Sequence, residues 1–255
     1  MLEKYKKYEF LFTELVKRDF KRKYKGTSLG MLWSILAPLL NLLVLDVVFS
    51  KFFGRDTPNY ITYLFSGLLV FNYFSESTRT GMTSLLTNAK IFTKVNVPKY
   101  LFLFSKNVSC FINFLLTLCI YFVFCIIDHI HFGFHMLALI YPIIMLAILN
   151  VGVGMILSAL FVFFRDIEYL YSIFLTLLRY LSVIFYTLNR FTEQEQRVFM
   201  LNPVYVIIKY IRQVVIYGQI PSLAYHGLML LYAGCAFGLG CFFYKKYNTQ
   251  FLYYV

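Results

Sequence analysis

Charge is scarce in this sequence, and negative charge scarcest: 14% of the 255 residues are charged, and only 12 are Asp or Glu. Soluble domains carry about 25% charged residues. Set beside 60% hydrophobic residues and a mean hydropathy of +0.69, that deficit excludes an ordinary water-soluble globule of this length. Catalytic signatures are missing as well. No G-x-x-x-x-G-K-[ST] occurs, so the chain has no phosphate-cradling P-loop of its own. G-x-S-x-G, H-E-x-x-H and zinc-ligand spacings are also absent. The five cysteines, Cys110, Cys119, Cys125, Cys235 and Cys241, lie in apolar runs without a C-x-x-C, and read as small packing residues rather than disulfides or metal ligands. No cleavable signal peptide is apparent, because a long charged stretch precedes the first apolar run near Leu29; the first helix is expected to stay as an anchor.

Positive charge is present and segregated. Nine of the 24 Lys and Arg fall in the first 25 residues, and the apolar runs hold very few. A net charge of +12 would suit nucleic acid, but this distribution is that of cytoplasmic flanks on a membrane protein, so no nucleic-acid partner is expected. A membrane-crossing helix needs about 20 apolar residues. Six stretches qualify: Leu29–Phe53 with Pro38 inside it, Tyr60–Met82, Tyr100–Ile127, Met136–Phe164, Tyr169–Leu188 and Leu223–Tyr244. With both termini inside, the connectors 1–28, 83–99, 165–168 and 245–255 carry fifteen Lys and Arg. The outer pieces carry six: Lys51, Arg55, Arg190, Arg197, Lys209 and Arg212. That asymmetry predicts cytoplasmic N- and C-termini.

Two connectors have structure of their own. Over residues 8–25, Tyr8, Phe12, Leu15 and Val16 share one side of a helix, while Glu14, Lys17, Lys21 and Lys25 share the other, which predicts an amphipathic helix along the membrane surface. Glu14 and Arg18 are spaced as an i,i+4 ion pair. Gly26, Ser28 and Gly30 then permit a sharp bend into the first span. In 189–222, the apolar stretch Pro203–Gly218 is too short to cross and carries Lys209 and Arg212, which fits a re-entrant or interfacial helical hairpin on the outer face. The expected fold is therefore an all-α membrane protein: one domain over residues 1–255, with six transmembrane helices, an N-terminal amphipathic interfacial helix and a re-entrant hairpin between spans five and six.

Candidate chemistry is sparse. Asp166 and Glu168 form a D-x-E that offers few oxygen ligands for a divalent ion and reads better as acids capping the next helix. His129, His131 and His135 sit in an outer loop; they read as a solvated loop rather than a metal site. Charged residues within spans each cost about 2.5–3.5 kcal/mol at a lone helix centre, so they should face protein or water. They are Asp46, Glu76, Arg79, Lys106 and Arg179; Glu76 and Arg79 share a face of span two, either as a structural ion pair or as a polar channel wall. Lys106 is expected to snorkel to the cytoplasm. Span five holds Tyr171, Phe174, Arg179, Tyr180 and Tyr186, whose rings suit a carbohydrate path and equally suit packing or lipid contact.

The stretch "LVKRDFKRKYKGTSLGMLWSILAPLL" resembles the start of the ABC-2 type permeases that export cell-surface polysaccharides such as O-antigen, capsule and teichoic acid. The family pattern R-Y-K-x-S-x-L-G-x-L-W-x-x-x-x-P is matched by Tyr24, Lys25, Ser28, Leu29, Gly30, Leu32, Trp33 and Pro38, with Lys23 where the family often has Arg. "NAKIFTKVNVPKYLFLFS", "FFRDIEYL" and "LNPVYVIIKYIRQVVIYGQIP" resemble later parts of the same family. The resemblance implies a permease homodimer with two copies of a separate ATPase subunit that binds ATP and Mg, in a bacterial cytoplasmic membrane, moving a polyprenyl-pyrophosphate-linked polysaccharide or teichoic-acid-type polymer. It implies that Leu85–Pro98 holds a coupling helix, with Asn88, Lys90, Ile91, Phe92 and Lys94 facing the ATPase. It makes the N-terminal helix a gate; on that reading the charges of Arg18, Lys21, Arg22, Lys23 and Lys25 are expected to meet the lipid headgroup, and Trp33, Glu76, Arg79, Tyr171, Phe174, Arg179, Tyr180 and Tyr186 to line the channel. The basic cluster would also attract anionic membrane lipids, at about 1 kcal/mol per residue. No cofactor or metal is expected on this chain. Three alternatives stay open: an ABC-2 exporter of a drug or small lipid, an ion-coupled lipid-linked glycan flippase, and a membrane-embedded glycosyltransferase or lipid-phosphate enzyme.

Overall fold

The computed structural model describes residues 2–53, 59–95, 97–189, 191–252 and 254. Arg55 and Arg190, counted above among the outer charges, lie outside the described residues, as do the side chains of Tyr24 and Lys51. The described residues are helical with no strand. In order, the helices are α1 (Leu2–Tyr24), α2 (Trp33–Phe53), α3 (Tyr60–Met82), α4 (Ser84–Thr87), α5 (Ala89–Phe92), α6 (Tyr100–Ile127), α7 (Ile140–Phe163), α8 (Ile167–Leu181), α9 (Glu193–Phe199), α10 (Pro203–Val215) and α11 (Leu223–Tyr247). Short 3₁₀ turns precede α2 and α7.

Among the described residues, four stretches are long and apolar enough to cross a membrane: Gly30–Val48, Tyr100–Ile127, Phe134–Phe163 and Leu223–Tyr247. The other two anticipated spans differ for separate reasons. Helix α3 has the length, at 23 residues, but its second half carries Asn72, Ser75, Glu76, Ser77, Thr78, Arg79 and Thr80. Ser77 and Thr78 are buried among the helices packed around α3, which are α6, α7, α10 and α2, while Asn72, Glu76 and Arg79 line an open cavity and keep access to water. Helix α8 stops at Leu181 after 15 residues, seven short of the boundary expected at Leu188. The chain unwinds there, with Val183 at φ 53°.

Unwound backbone inside an apolar bundle must find partners for its carbonyls. Here the side chains of α3 and α10 supply them. Arg212 donates to the carbonyls of Val183 and Ile184 at 2.8 and 3.1 Å, Tyr60 to that of Phe185 at 2.9 Å, and Tyr63 to that of Tyr186 at 2.7 Å. Arg212, expected among the outer charges, is 5% exposed.

Helices α9 and α10 meet at 110° across a short break. A capping box between Thr192 and Glu195 starts α9. Asn202 starts α10 by accepting from the amides of Val204 and Tyr205, and its Nδ2 donates to Ser182 Oγ at 3.0 Å, pinning the break to the end of α8. The expected bend before the first span is present: Gly26 and Gly30 take φ of 84° and 52°. The D-x-E acids do less than anticipated, because Asp166 makes no side-chain cap and only Glu168 sits in the first turn of α8.

Candidate functional site

Helix α1 is not merely a surface helix. Leu15 is 3% exposed and packs with Leu85, Phe92, Phe102 and Leu103, which seats α1 on α6 and on the α4–α5 segment. The expected Glu14–Arg18 pair does not form; Glu14 takes Lys17 at 3.1 Å instead. Arg18 turns inward, donating to Asp19 Oδ1 at 2.8 Å and to Asn88 Oδ1 at 2.8 Å. Asn88 is itself buried and donates to the Ser84 carbonyl. One turn further, Lys23 Nζ lies 2.5 Å from Glu76 Oε1 on α3. The basic helix is thus fastened at two points, one on the short helices before α6 and one on the central helix.

A cavity of about 640 Å³ opens beside the second fastening, between α2, α3 and α6. Trp33, Pro38, Phe65 and Leu68 form its apolar wall; Asn41, Asn72, Arg79 and Asn113 form its polar wall. A second cavity of about 380 Å³ is lined by Asp19, Arg22, Thr80 and Lys106. Lys23, Glu76, Cys110 and Asn113 line both, so the ion pair stands at their boundary. Two amphipathic spaces therefore meet at a half-exposed ion pair, in which each charge has a protein partner and a route to water.

The structure brings some anticipated residues together and separates others. Trp33, Glu76, Arg79 and Lys23 line one cavity. Lys21, Arg22 and Lys25 are exposed, and Arg22 lines the second cavity. Arg79 donates to Ser172 on α8 at 3.1 Å, so Glu76 and Arg79 hold different neighbours rather than each other. Tyr171 is buried, with its hydroxyl bonded to Thr78 Oγ1 at 2.5 Å. Phe174 and Tyr180 are exposed on the outside of α8, as is Arg179, whose guanidinium lies 5.3 Å from the Phe71 ring centre. Tyr186 belongs to the unwound segment and donates to the Tyr180 carbonyl at 2.9 Å. Lys106 does not simply snorkel; it is half-buried in the second cavity beside Asp19 and Arg22.

In the anticipated coupling segment, Asn88 and Phe92 face inward, Ile91 is half-buried, and Lys90 and Lys94 are exposed. Beneath it, the Lys99 ammonium donates to the Asn248 carbonyl and lies 6.0 and 5.6 Å from the Phe92 and Phe251 ring centres. Burial pushes that ammonium below the ordinary lysine range. Phe251, fully buried in one cluster with Phe92, therefore braces the segment, a contact no local pattern announces.

This arrangement, a basic amphipathic helix bent at two glycines into an apolar bundle, has counterparts. Residues 11–216 match the family described as ABC-2 type transporter. The chain belongs to the ABC-2 type transporter family. Among its relatives is an O-antigen export system permease protein of Myxococcus xanthus, 30% identical over 77% of this chain and 76% of the relative. A protein of the same description from Klebsiella pneumoniae is 29% identical over 87% of this chain and 85% of its own length. A polysialic acid transport protein of Escherichia coli is 24% identical over 86% of this chain and 88% of its own. Membership, with the apolar helices, makes this a multi-pass membrane protein. The family region takes in the Lys23–Glu76 pair, the α4–α5 segment, the unwound stretch and all of α10, and ends before α11.

Proposed function

We propose that this chain is the permease subunit of an ATP-driven exporter that moves a polyprenyl-pyrophosphate-linked polysaccharide across a bacterial cytoplasmic membrane. One observation carries the reading: the basic end of α1 is tied both to the segment anticipated to meet an ATPase, through Arg18 and Asn88, and to the wall of a large amphipathic cavity, through Lys23 and Glu76. Movement of the α4–α5 segment would pull on α1 and open the ion pair. Lys21, Arg22 and Lys25, exposed on the basic end of α1, would meet a diphosphate through charge-assisted hydrogen bonds. The permease relatives named above support the polysaccharide cargo.

The broader assembly belongs to the same proposal. Helices α2, α3, α6, α7, α8 and α11 are the six spans, with both termini cytoplasmic and α9–α10 re-entering from the outside. Two permeases pair through α2 and α8. Their apolar faces support this: Leu43, Val44 and Val47 on α2, and Ile173, Phe174 and Leu177 on α8, are exposed. ATP and Mg bind two copies of a separate ATPase below.

Reconstitution tests the reading. Liposomes holding this chain and its ATPase should relocate a lipid-linked glycan on addition of ATP, and liposomes holding this chain alone should not. Vectorial transport by the chain alone, or transport driven by a proton gradient without ATP, would sink it. Changing Arg22 and Lys25 together to Gln should reduce export while the complex still assembles, read by co-purification of the ATPase; undiminished export from that variant would remove the headgroup role.

Charge reversal tests the gate. Lys23→Glu sets two carboxylates together, and Glu76→Lys sets two ammonium groups together. Each should cut export several-fold, since a repulsion of about 1 kcal/mol replaces an attraction of similar size at this half-exposed site. The double reversal should recover most of it. Both residues are partly solvent-exposed, so the effect on folding stability should stay within about 1 kcal/mol. A double variant no better than either single one would show that the pair does not act as a unit.

A further inference from the structure

A third cavity, of about 410 Å³, lies at the opposite end of the bundle between α10, the unwound stretch after α8 and the loop before α11. We propose that it is a subsite that holds an acidic saccharide unit of the exported polymer on the outer face. This rests on the transport reading above, and on the orientation that goes with it.

The lining has the composition that such a ligand requires. Tyr217 offers a ring face for sugar C–H groups, and the largely buried Tyr205 forms part of the wall. Gln213 and Gln219 offer amides, which both donate to and accept from hydroxyls, and Gln196, whose Nε2 donates to the Leu188 and Phe191 carbonyls, offers its oxygen. No Asp or Glu lines the cavity, whereas Lys209 and Arg212 both do. Neither cation has a carboxylate partner among the described residues. The Arg212 donors are spent on carbonyls and on Ser66, so its charge remains uncompensated at the cavity floor. Lys209 Nζ lies 6.0 and 5.5 Å from the ring centres of Tyr205 and Tyr225, a position that leaves its hydrogens for a ligand.

A second observation points to an absent donor. Gln213 Oε1 is shielded from solvent and has no hydrogen-bond partner. A shielded amide oxygen without a partner is unfavourable, and a ligand hydroxyl would satisfy it. The volume falls within the about 300–1,000 Å³ of small-molecule sites. Burial is shallow at the mouth, where Tyr217 is 57% exposed, so a polymer can lie across the cavity with one unit seated.

The test uses the intact chain in lipid nanodiscs, without ATPase or ATP. The probes are a tetrasaccharide of alternating glucuronic acid and N-acetylglucosamine, and neutral cellotetraose, with affinities read by titration. The acidic probe should bind at least tenfold more tightly. Lys209→Gln should abolish that preference, Lys209→Arg should keep it, and Gln213→Leu should weaken both probes alike. Equal affinity for the two probes, no binding of either, or an unchanged preference in Lys209→Gln would overturn the proposal. Because no transport is measured, ATP-driven export by a chain that fails to bind removes the subsite alone. Binding by a chain that cannot export with its ATPase removes the transport reading alone.

Discussion

Arg212→Met should leave little folded protein: after mild detergent extraction the variant should run as aggregate on size exclusion, while Lys23→Gln elutes like the parent. The guanidinium serves four acceptors on two segments. It reaches the Tyr63 carbonyl at 3.0 Å, Ser66 Oγ at 3.1 Å, and the Val183 and Ile184 carbonyls at 2.8 and 3.1 Å. It also stacks on Tyr63, 3.4 Å from the ring centre. Methionine matches its length and none of its donors. Each stranded buried acceptor costs about 1–3 kcal/mol, offset in part by relief of a buried charge, against a total stability of about 5–15 kcal/mol. Arg212→Lys keeps the charge but not the planar fork, and one ammonium cannot span acceptors on α3 and on the unwound stretch; an intermediate loss is expected. Gly67 gives an independent check. A Cβ there would lie 2.8 Å from Arg212 Nη2 and 3.1 Å from Ile184 Cγ2, so Gly67→Ala should lower Tm in the same direction. Parent-like elution and Tm for Arg212→Met would show that the unwound stretch is held by something else.

Gly152→Val should split the most extensively packed helix pair, α7 with α11. A Cβ on Gly152 would stand 2.4 Å from the Phe237 nitrogen and 2.5 Å from the Ala236 carbonyl carbon. Both are backbone atoms, so no side chain can swing aside and the helices must move apart. Gly240 answers from the other helix, where a Cβ would meet Met155 Cβ at 2.8 Å and the Gly152 oxygen at 2.9 Å. Helices in lipid gain no hydrophobic drive from association, so they depend on this close fit. Overpacking costs about 1–3 kcal/mol or more, and each kcal/mol shifts Tm by about 2–4 °C at this size. Gly234 on the same α11 has nothing within 4 Å, and Gly234→Val should stay within about 0.5 kcal/mol of the parent. Equal melting of the two variants would refute the close-contact account.

The two expected results differ in how far the sequence announces them. The small-residue stretch "NVGVGMILSA" is visible in the sequence, but which glycine meets a backbone is not, because that depends on the rotation of α7 against α11. Arg212 is harder still. In an apolar stretch too short to cross, an arginine reads as a solvent-side charge, and positive-inside counting treats it so. A hint was available: Arg212 shares its stretch with almost nothing else polar besides Lys209 and Gln213. The candidate gate was half legible. Lys23 and Glu76 were each singled out, but 53 positions separate them, and Arg79 at i+3 from Glu76 seemed the natural neighbour by spacing.

Composition, hydropathy runs and the opening motif were enough, before any coordinates, to place the chain in lipid, to draw four of its crossing helices, to find the glycine bend and to point at the family. Those features are local: each residue's solvent is written in its own polarity and in that of its neighbours within a turn or two. Tertiary structure alone decided that α8 stops early, that Arg212 and the tyrosines of α3 hold the carbonyls beyond it, and that Lys23 closes on Glu76. A backbone carbonyl looks the same in every residue, so the partner that it takes is settled only when distant segments are packed side by side.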